Sequence, residues 1–192
     1  MEISTSLIVV LATLGVIVLY IVSSYNGLVK LKALLDEGWS GIDVQLKRRY
    51  DLIPNLVATV KQYSIHEKDI FENIAKLRAA SMGATSIDQK ALAENGLTSA
   101  LKTLFAVAEN YPELKANQNF MKLQEDLTAI EHDIQLSRRY YNGAARNYNV
   151  GISVFPRNLI ASNLGFEKAQ YFELANGIER ENPQVKFWYP LS

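Results

Sequence analysis

The side chains able to carry acid–base, metal or nucleophilic chemistry are few, and their spacing assembles no complete set. The chain has two histidines, His66 and His132, and no cysteine. A chain without thiols has no disulfides, zinc–thiolate centres, iron–sulfur clusters or thiol catalysis. A metalloprotease helix needs His-Glu-x-x-His, which puts two imidazoles on one face beside a general base. His66-Glu67 is followed at the required position by Ile70. A carboxylate-bridged di-iron bundle needs Glu-x-x-His on two helices, but Tyr63 and Ala129 stand where the glutamates would be. Glu131-His132-Asp133, beside Ile130 and Ile134, reads as a solvated helix face. Gly38 and Gly41 lie in a helical pattern with no Lys-Ser or Lys-Thr after them, so no phosphate loop forms. No Gly-x-Ser-x-Gly occurs, and a serine nucleophile would lack a histidine base. The expectation is a protein with no catalytic residues, no cofactor, no metal site and no small-molecule ligand.

The most suggestive polar group joins Asp43, Lys47, Arg48, Arg49 and Asp51 to the more distant Arg138, Arg139, Asn142, Arg146 and Asn149. Polar residues bordering an apolar seam typically form inter-helix hydrogen bonds and ion pairs that fix register. The functional alternative is a patch for anionic lipid headgroups or an acidic partner, at about 1 kcal/mol per basic charge close to a membrane surface. A straight helix would carry Arg48 about 30 Å beyond Lys30, well past a Debye length, which favours the structural reading. A second candidate surface is the aromatic end Phe187-Trp188-Tyr189-Pro190, since Trp and Tyr suit half-wet boundaries with membrane or partner. Alternatively it covers exposed helix surface, as Phe166, Tyr171 and Phe172 would. The formal net charge is zero and the pI near 6.7, so no basic field exists to gather nucleic acid.

These residues must be positioned by what the remaining chain builds. Ile3 to Val29 contains no charged residue, and Leu7 to Val22 is apolar apart from Thr13, Gly15 and the hydroxyl of Tyr20. About 20 helical residues cross the hydrocarbon core of a bilayer, where every backbone amide must be bonded within its own segment. A cleaved signal peptide would have a basic start and a small-residue cleavage site. Here the start is Met1-Glu2, and Tyr25 and Asn26 interrupt the small residues after the run, so an uncleaved, single-pass anchor is expected. Lys30 and Lys32 follow the span and no Lys or Arg precedes it, which favours an outside N-terminus and a cytoplasmic body. The expected division is a stub and anchor over 1–29, a helical bundle over 30–165 and an aromatic-containing tail over 166–192.

From Leu28 the apolar residues recur at steps of three and four: Leu28, Leu31, Leu35, Trp39, Ile42, Leu46, Ile53, Leu56, Val60 and Tyr63, resuming at Ile70, Ile74 and Leu77. That spacing predicts one long helix with a single buried stripe, bent or broken at Pro54. Ser81 to Ser86 ends it. A second helix is predicted over Ile87 to Glu109. A third carries Phe120, Leu123, Leu127, Ile130, Ile134, Ser137, Tyr141, Ala144 and Tyr148, whose 3.5-residue period is a coiled-coil-like seam. A short fourth begins at Pro156 and closes at Gly165, a suitable C-cap. The fold predicted is all-α: a transmembrane helix and an antiparallel bundle of three long helices and a short fourth.

Several stretches resemble the LemA family of bacterial membrane proteins. They are Tyr25 to Val29, Trp39-Ser40-Gly41-Ile42-Asp43 running on to Pro54-Asn55-Leu56-Val57, Ala108 to Lys115, Arg138 to Asn142 with Tyr148-Asn149, and Phe155-Pro156. Gly38 stands where that family usually carries Ala. The resemblance implies a short outside N-terminus, one span and a cytoplasmic helical bundle. It links the chain to the cell envelope and, through one relative, to the building of magnetosome membranes. It implies no particular molecular function, and the non-enzymatic expectation rests on the missing catalytic sets. The functional expectation is a non-enzymatic scaffold that binds a protein partner or itself, or alternatively a membrane-remodelling or lipid-organising protein that acts through oligomers.

Overall fold

The computed structural model of the chain describes residues 5–64 and 66–172. All regular elements among them are helices: α1 (Thr5–Lys61), α2 (Lys68–Gly83), α3 (Ile87–Ala108), α4 (Pro112–Lys115), α5 (Gln118–Ser153) and α6 (Arg157–Asn163). Helices α1, α4, α5 and α6 form one compact unit, and α2 with α3 belongs to another. In the first unit α1 and α5 lie antiparallel along a shared seam, and in the second α2 and α3 pair in the same way.

Three long helices and a short fourth were expected, and the structure corrects that count. The long first helix runs uninterrupted through Pro54 and stops at Lys61. Pro54 deprives the helix of one hydrogen bond and crowds the preceding turn. It lies on the exposed face, however, while Arg49, Tyr50, Ile53, Leu56 and Val60 are buried on both sides of it, and that packing outweighs the local penalty. After Lys61 the amides of Gln62 and Tyr63 turn back to the carbonyls of Thr59 and Val60, and α2 starts afresh at Lys68. The seven-residue step from Tyr63 to Ile70 fits a continuing helix and a pause equally well, so the pattern concealed the break. One-turn α4 starts at Pro112, where the missing N–H is harmless.

The ends follow their local chemistry. Ser86 caps α3 by accepting from Gln89 N, Asn117 caps α5 by accepting from Asn119 N and Phe120 N, and Gly165 closes α6 at φ 73°. Along α5 the buried stripe is Phe120, Leu127, Ile130, Ile134, Arg138, Tyr141, Ala145, Tyr148, Gly151 and Ile152. Ser137 and Ala144 were expected inside, but Arg138 and Ala145 occupy those places. A helix with 3.6 residues per turn drifts away from a strict 3.5 repeat, so after Ile134 Arg138 and Ala145 turn inward in place of their preceding neighbours, while Tyr141 and Tyr148 keep their expected places.

Candidate functional site

Two surfaces of the first unit bear on function. The first is the N-terminal part of α1. Residues 5–23 are exposed without exception, and no face of this apolar stretch is covered by the other described residues. The stretch is long and apolar enough to cross a membrane. At Ser24 and Leu28 burial begins, and from there one stripe of the same helix is sealed against α5.

The second surface is the polar part of the α1–α5 seam. Arg49 sits seven residues from both Ile42 and Leu56, in the middle of the buried stripe, and its side chain is only 4% exposed. Its Nη1 lies 3.1 Å from Glu131 Oε2. The approach is too bent for a hydrogen bond to that oxygen, so the contact is an ion pair by proximity. Gln135 Nε2 donates to the other oxygen, Oε1, at 3.1 Å. Next to it, Arg48 donates to Gln45 Oε1 at 2.9 Å and lies 3.5 Å from Asp133 Oδ2, with both charges well exposed. An exposed pair of that kind contributes at most about 1 kcal/mol.

The ten residues of the sequence cluster are therefore distributed along the hairpin. Arg48 and Arg49 meet Glu131 and Asp133, two residues whose sequence context suggested only a solvated face. Arg138 is buried in the seam, whereas Arg139, Arg146, Lys47 and Asp51 are exposed, and Asp43 and Asn142 are half-buried. Asn149 does something else. Its Nδ2 donates to Ala169 O at 2.9 Å, and its Oδ1 accepts from Ala169 N at 2.8 Å. Tyr141 OH donates to Gln170 O at 2.8 Å. These bonds strap the segment after α6 along α5, and Phe166 meets Tyr25 edge-on at 6.2 Å between ring centres. Phe187, Trp188 and Tyr189 lie outside the described residues.

Burial pushes the Tyr141 phenol above its ordinary pKa, and the nearby Asp36 charge adds to the shift. Tyr148 moves the same way through burial and the charges of Asp36 and Glu167. Midway along the hairpin, Gly38 lets α1 and α5 approach closely. A Cβ there would lie 3.1 Å from Tyr141 Cα and 3.2 Å from Tyr140 Cδ1. Beside it an open groove of about 600 Å³ is lined by Gly41, Val44, Gln45, Leu136 and Tyr140 among others. Among the described residues that line it, the ionisable groups are Glu37 and the phenol of Tyr140. His66 and His132 are exposed, and among the described residues no three His, Asp or Glu side chains converge.

The sequence profile of the LemA family matches residues 38–187. Magnetosome protein MamQ 2 of Paramagnetospirillum magneticum is 28% identical over 175 residues, covering 78% of this chain and 64% of the relative. Magnetosome protein MamQ of Magnetospirillum gryphiswaldense is 27% identical over 174 residues, 77% of this chain and 64% of the relative. Protein LemA of Metamycoplasma hominis is 24% identical over 173 residues, 88% of this chain and 77% of the relative. The chain thus spans a little under two thirds of the magnetosome relatives' length.

Proposed function

The chain belongs to the LemA family, and from that premise we propose that it is a single-pass, membrane-anchored and non-enzymatic scaffold. Its α1–α5 hairpin presents a binding surface to a protein partner or to a second copy. The observation that carries this reading is the division of labour within one helix. The first turns of α1 expose apolar side chains on every face, and the remainder seals one stripe against α5. So large an exposed apolar surface marks a membrane or partner contact. Because no loop separates the two halves, the anchor and the hairpin move as one rod of about 85 Å by rise per residue. The Lys30 and Lys32 charges support a cytoplasmic hairpin with the N-terminus outside.

Cross-linking in intact membranes, followed by mass spectrometry of the linked peptides, tests the reading. Links from α1–α5 surface lysines such as Lys47 and Lys122 to a second polypeptide are expected. Only intramolecular links at native expression would overturn the scaffold. A second reading, lipid organisation through oligomers, draws on the relatives named as magnetosome proteins. Vesicles that keep their shape and dispersion after reconstitution would sink it.

A further inference from the structure

We infer that the corner between α5 and α6 is a second membrane contact: it rests in the interfacial layer of the same bilayer that holds α1. This builds on the anchor proposed above and adds to it a defined footing for the bundle.

Three observations converge on that corner. The first is its level along α1. A Cβ on Gly151 would lie 2.6 Å from Leu31 Cδ1 and 3.7 Å from Leu28 Cδ2, so the end of α5 lies beside the first packed turns of α1. A Cβ on Gly27 would lie 3.7 Å from Arg157 Nη2, which brings the guanidinium of the first residue of α6 to the neighbouring turn of α1. From Val22, the end of the apolar run, to Gly27 is about 7–8 Å of helix. The polar layer on each side of the hydrocarbon core is roughly 5–8 Å deep. The Arg157 guanidinium is therefore held at the outer edge of the headgroup layer when α1 spans the membrane upright, and the chain passes through the corner between the end of α5 and this residue.

The second observation is what the corner exposes. Phe155 is 79% exposed, more than any large apolar side chain in the span itself, and Leu159 is 57% exposed. Val154 and Leu164 are also exposed close by, and Tyr25 shows its ring on the adjoining turn of α1. Aromatic and aliphatic side chains at this depth insert into the boundary between headgroups and acyl chains. The third is charge. The Arg157 guanidinium lies between the two glycines, about 3.7–3.9 Å from both Cβ positions, and no carboxylate among the described residues pairs with it. A half-buried guanidinium at this level, with no carboxylate partner among the described residues, can offer its N–H groups to a lipid phosphate. Two separated contacts fix the tilt and rotation of the rod, which one span alone leaves free.

The chain has no cysteine, so single labels are clean. Nitroxide at Phe155→Cys, Leu159→Cys, Leu14→Cys and Met121→Cys is read in mixed phosphatidylcholine–phosphatidylglycerol vesicles by relaxation with oxygen against a water-soluble nickel complex. All four positions are exposed, and far-UV circular dichroism verifies that each variant stays helical. The oxygen-to-nickel ratio is expected to be highest at Leu14, intermediate at Phe155 and Leu159, and several-fold lower at Met121 near the far end of α5. If Phe155 and Leu159 match Met121 while Leu14 reports lipid, the inference fails and the anchor stands. Poor access of both reagents at the corner would place it against protein, which also overturns the inference. A water-like Leu14 would overturn the anchor, and the inference with it.

Discussion

The two hairpins of this molecule reach a similar fold by different means. In the α1–α5 hairpin the seam is long and interrupted by polar groups that find partners: Arg49 meets Glu131, and Tyr141 and Asn149 strap the segment after α6. In the α2–α3 hairpin the seam is shorter and built of smaller residues, with Ala91, Ala100 and Ala108 beside Phe71, Ile74, Leu97, Leu101 and Leu104. Ser81 is fully buried there, and its hydroxyl has no hydrogen-bond partner. A long two-helix seam of aliphatic residues alone would slide by a heptad at little cost, and a buried polar residue at one level suppresses that slippage. The short hairpin is fixed by its tight connection over Ala84 to Ser86, and it too carries a charged side chain inside, Glu94, fully buried on the inward face of α3.

The sharpest way to break this contrast is to treat a buried polar group in each seam alike. Arg49→Ala removes a nearly fully buried guanidinium and leaves Glu131 half-buried. Losing one partner of a buried pair costs about 3–5 kcal/mol, and because Glu131 still reaches water the lower end, about 3 kcal/mol, is expected. Urea unfolding of the full chain in detergent measures it, and replacing both partners together, Arg49→Met with Glu131→Leu, is expected to recover most of the loss. Ser81→Ala should do the opposite and stabilise by about 1 kcal/mol, because an unpartnered hydroxyl leaves the core. Equal losses at both positions would erase the distinction between the hairpins.

Tyr141→Phe is smaller in effect. It deletes one hydrogen bond to Gln170 O, at about 1 kcal/mol, and it also changes the alkaline limb of stability. The folded-state pKa values of Tyr141 and Tyr148 lie above the ordinary tyrosine value of 10.0, so the folded protein holds these protons more tightly than the unfolded chain. The associated stability is complete below about pH 10 and is lost as pH rises through the folded values. The variant should show a shallower decline there, and an unchanged slope would refute the assignment. Smallest are the glycines. Gly41 has nothing within 4 Å of its Cβ position, so Gly41→Ala should stabilise by up to about 1 kcal/mol through helix propensity. Gly38→Ala should gain less or lose, because its Cβ meets the Tyr141 backbone. Equal gains in thermal melts would show that the helices part freely.

The all-helical class, the long apolar N-terminal helix, the break at Ser81 to Ser86 and the Gly165 cap were legible because each rests on local chemistry within a few residues of sequence. The sequence grouped Arg49 and Arg138 among residues bordering the seam, and the structure has both buried within it. Their burial was harder to read, since a charged side chain on an apolar stripe is usually at its edge, and only its partner across the hairpin decides otherwise. Glu131 gave no signal for the same reason. Glu94 lies three residues before Leu97, on the buried stripe of α3, and that spacing would have found it.

Sequence by itself determined which stretches are helical, that one of them can live in lipid, and that the rest carries an apolar stripe, since periodicity and hydropathy are properties of neighbouring residues. Tertiary structure alone decided that α1 continues through Pro54, that Arg49 meets Glu131, and that the Arg157 guanidinium lies beside Gly27, five residues beyond the apolar run. Those outcomes depend on the register of α1 against α5, which is set by contacts between residues about 80 to 120 positions apart, a separation at which no local pattern carries information.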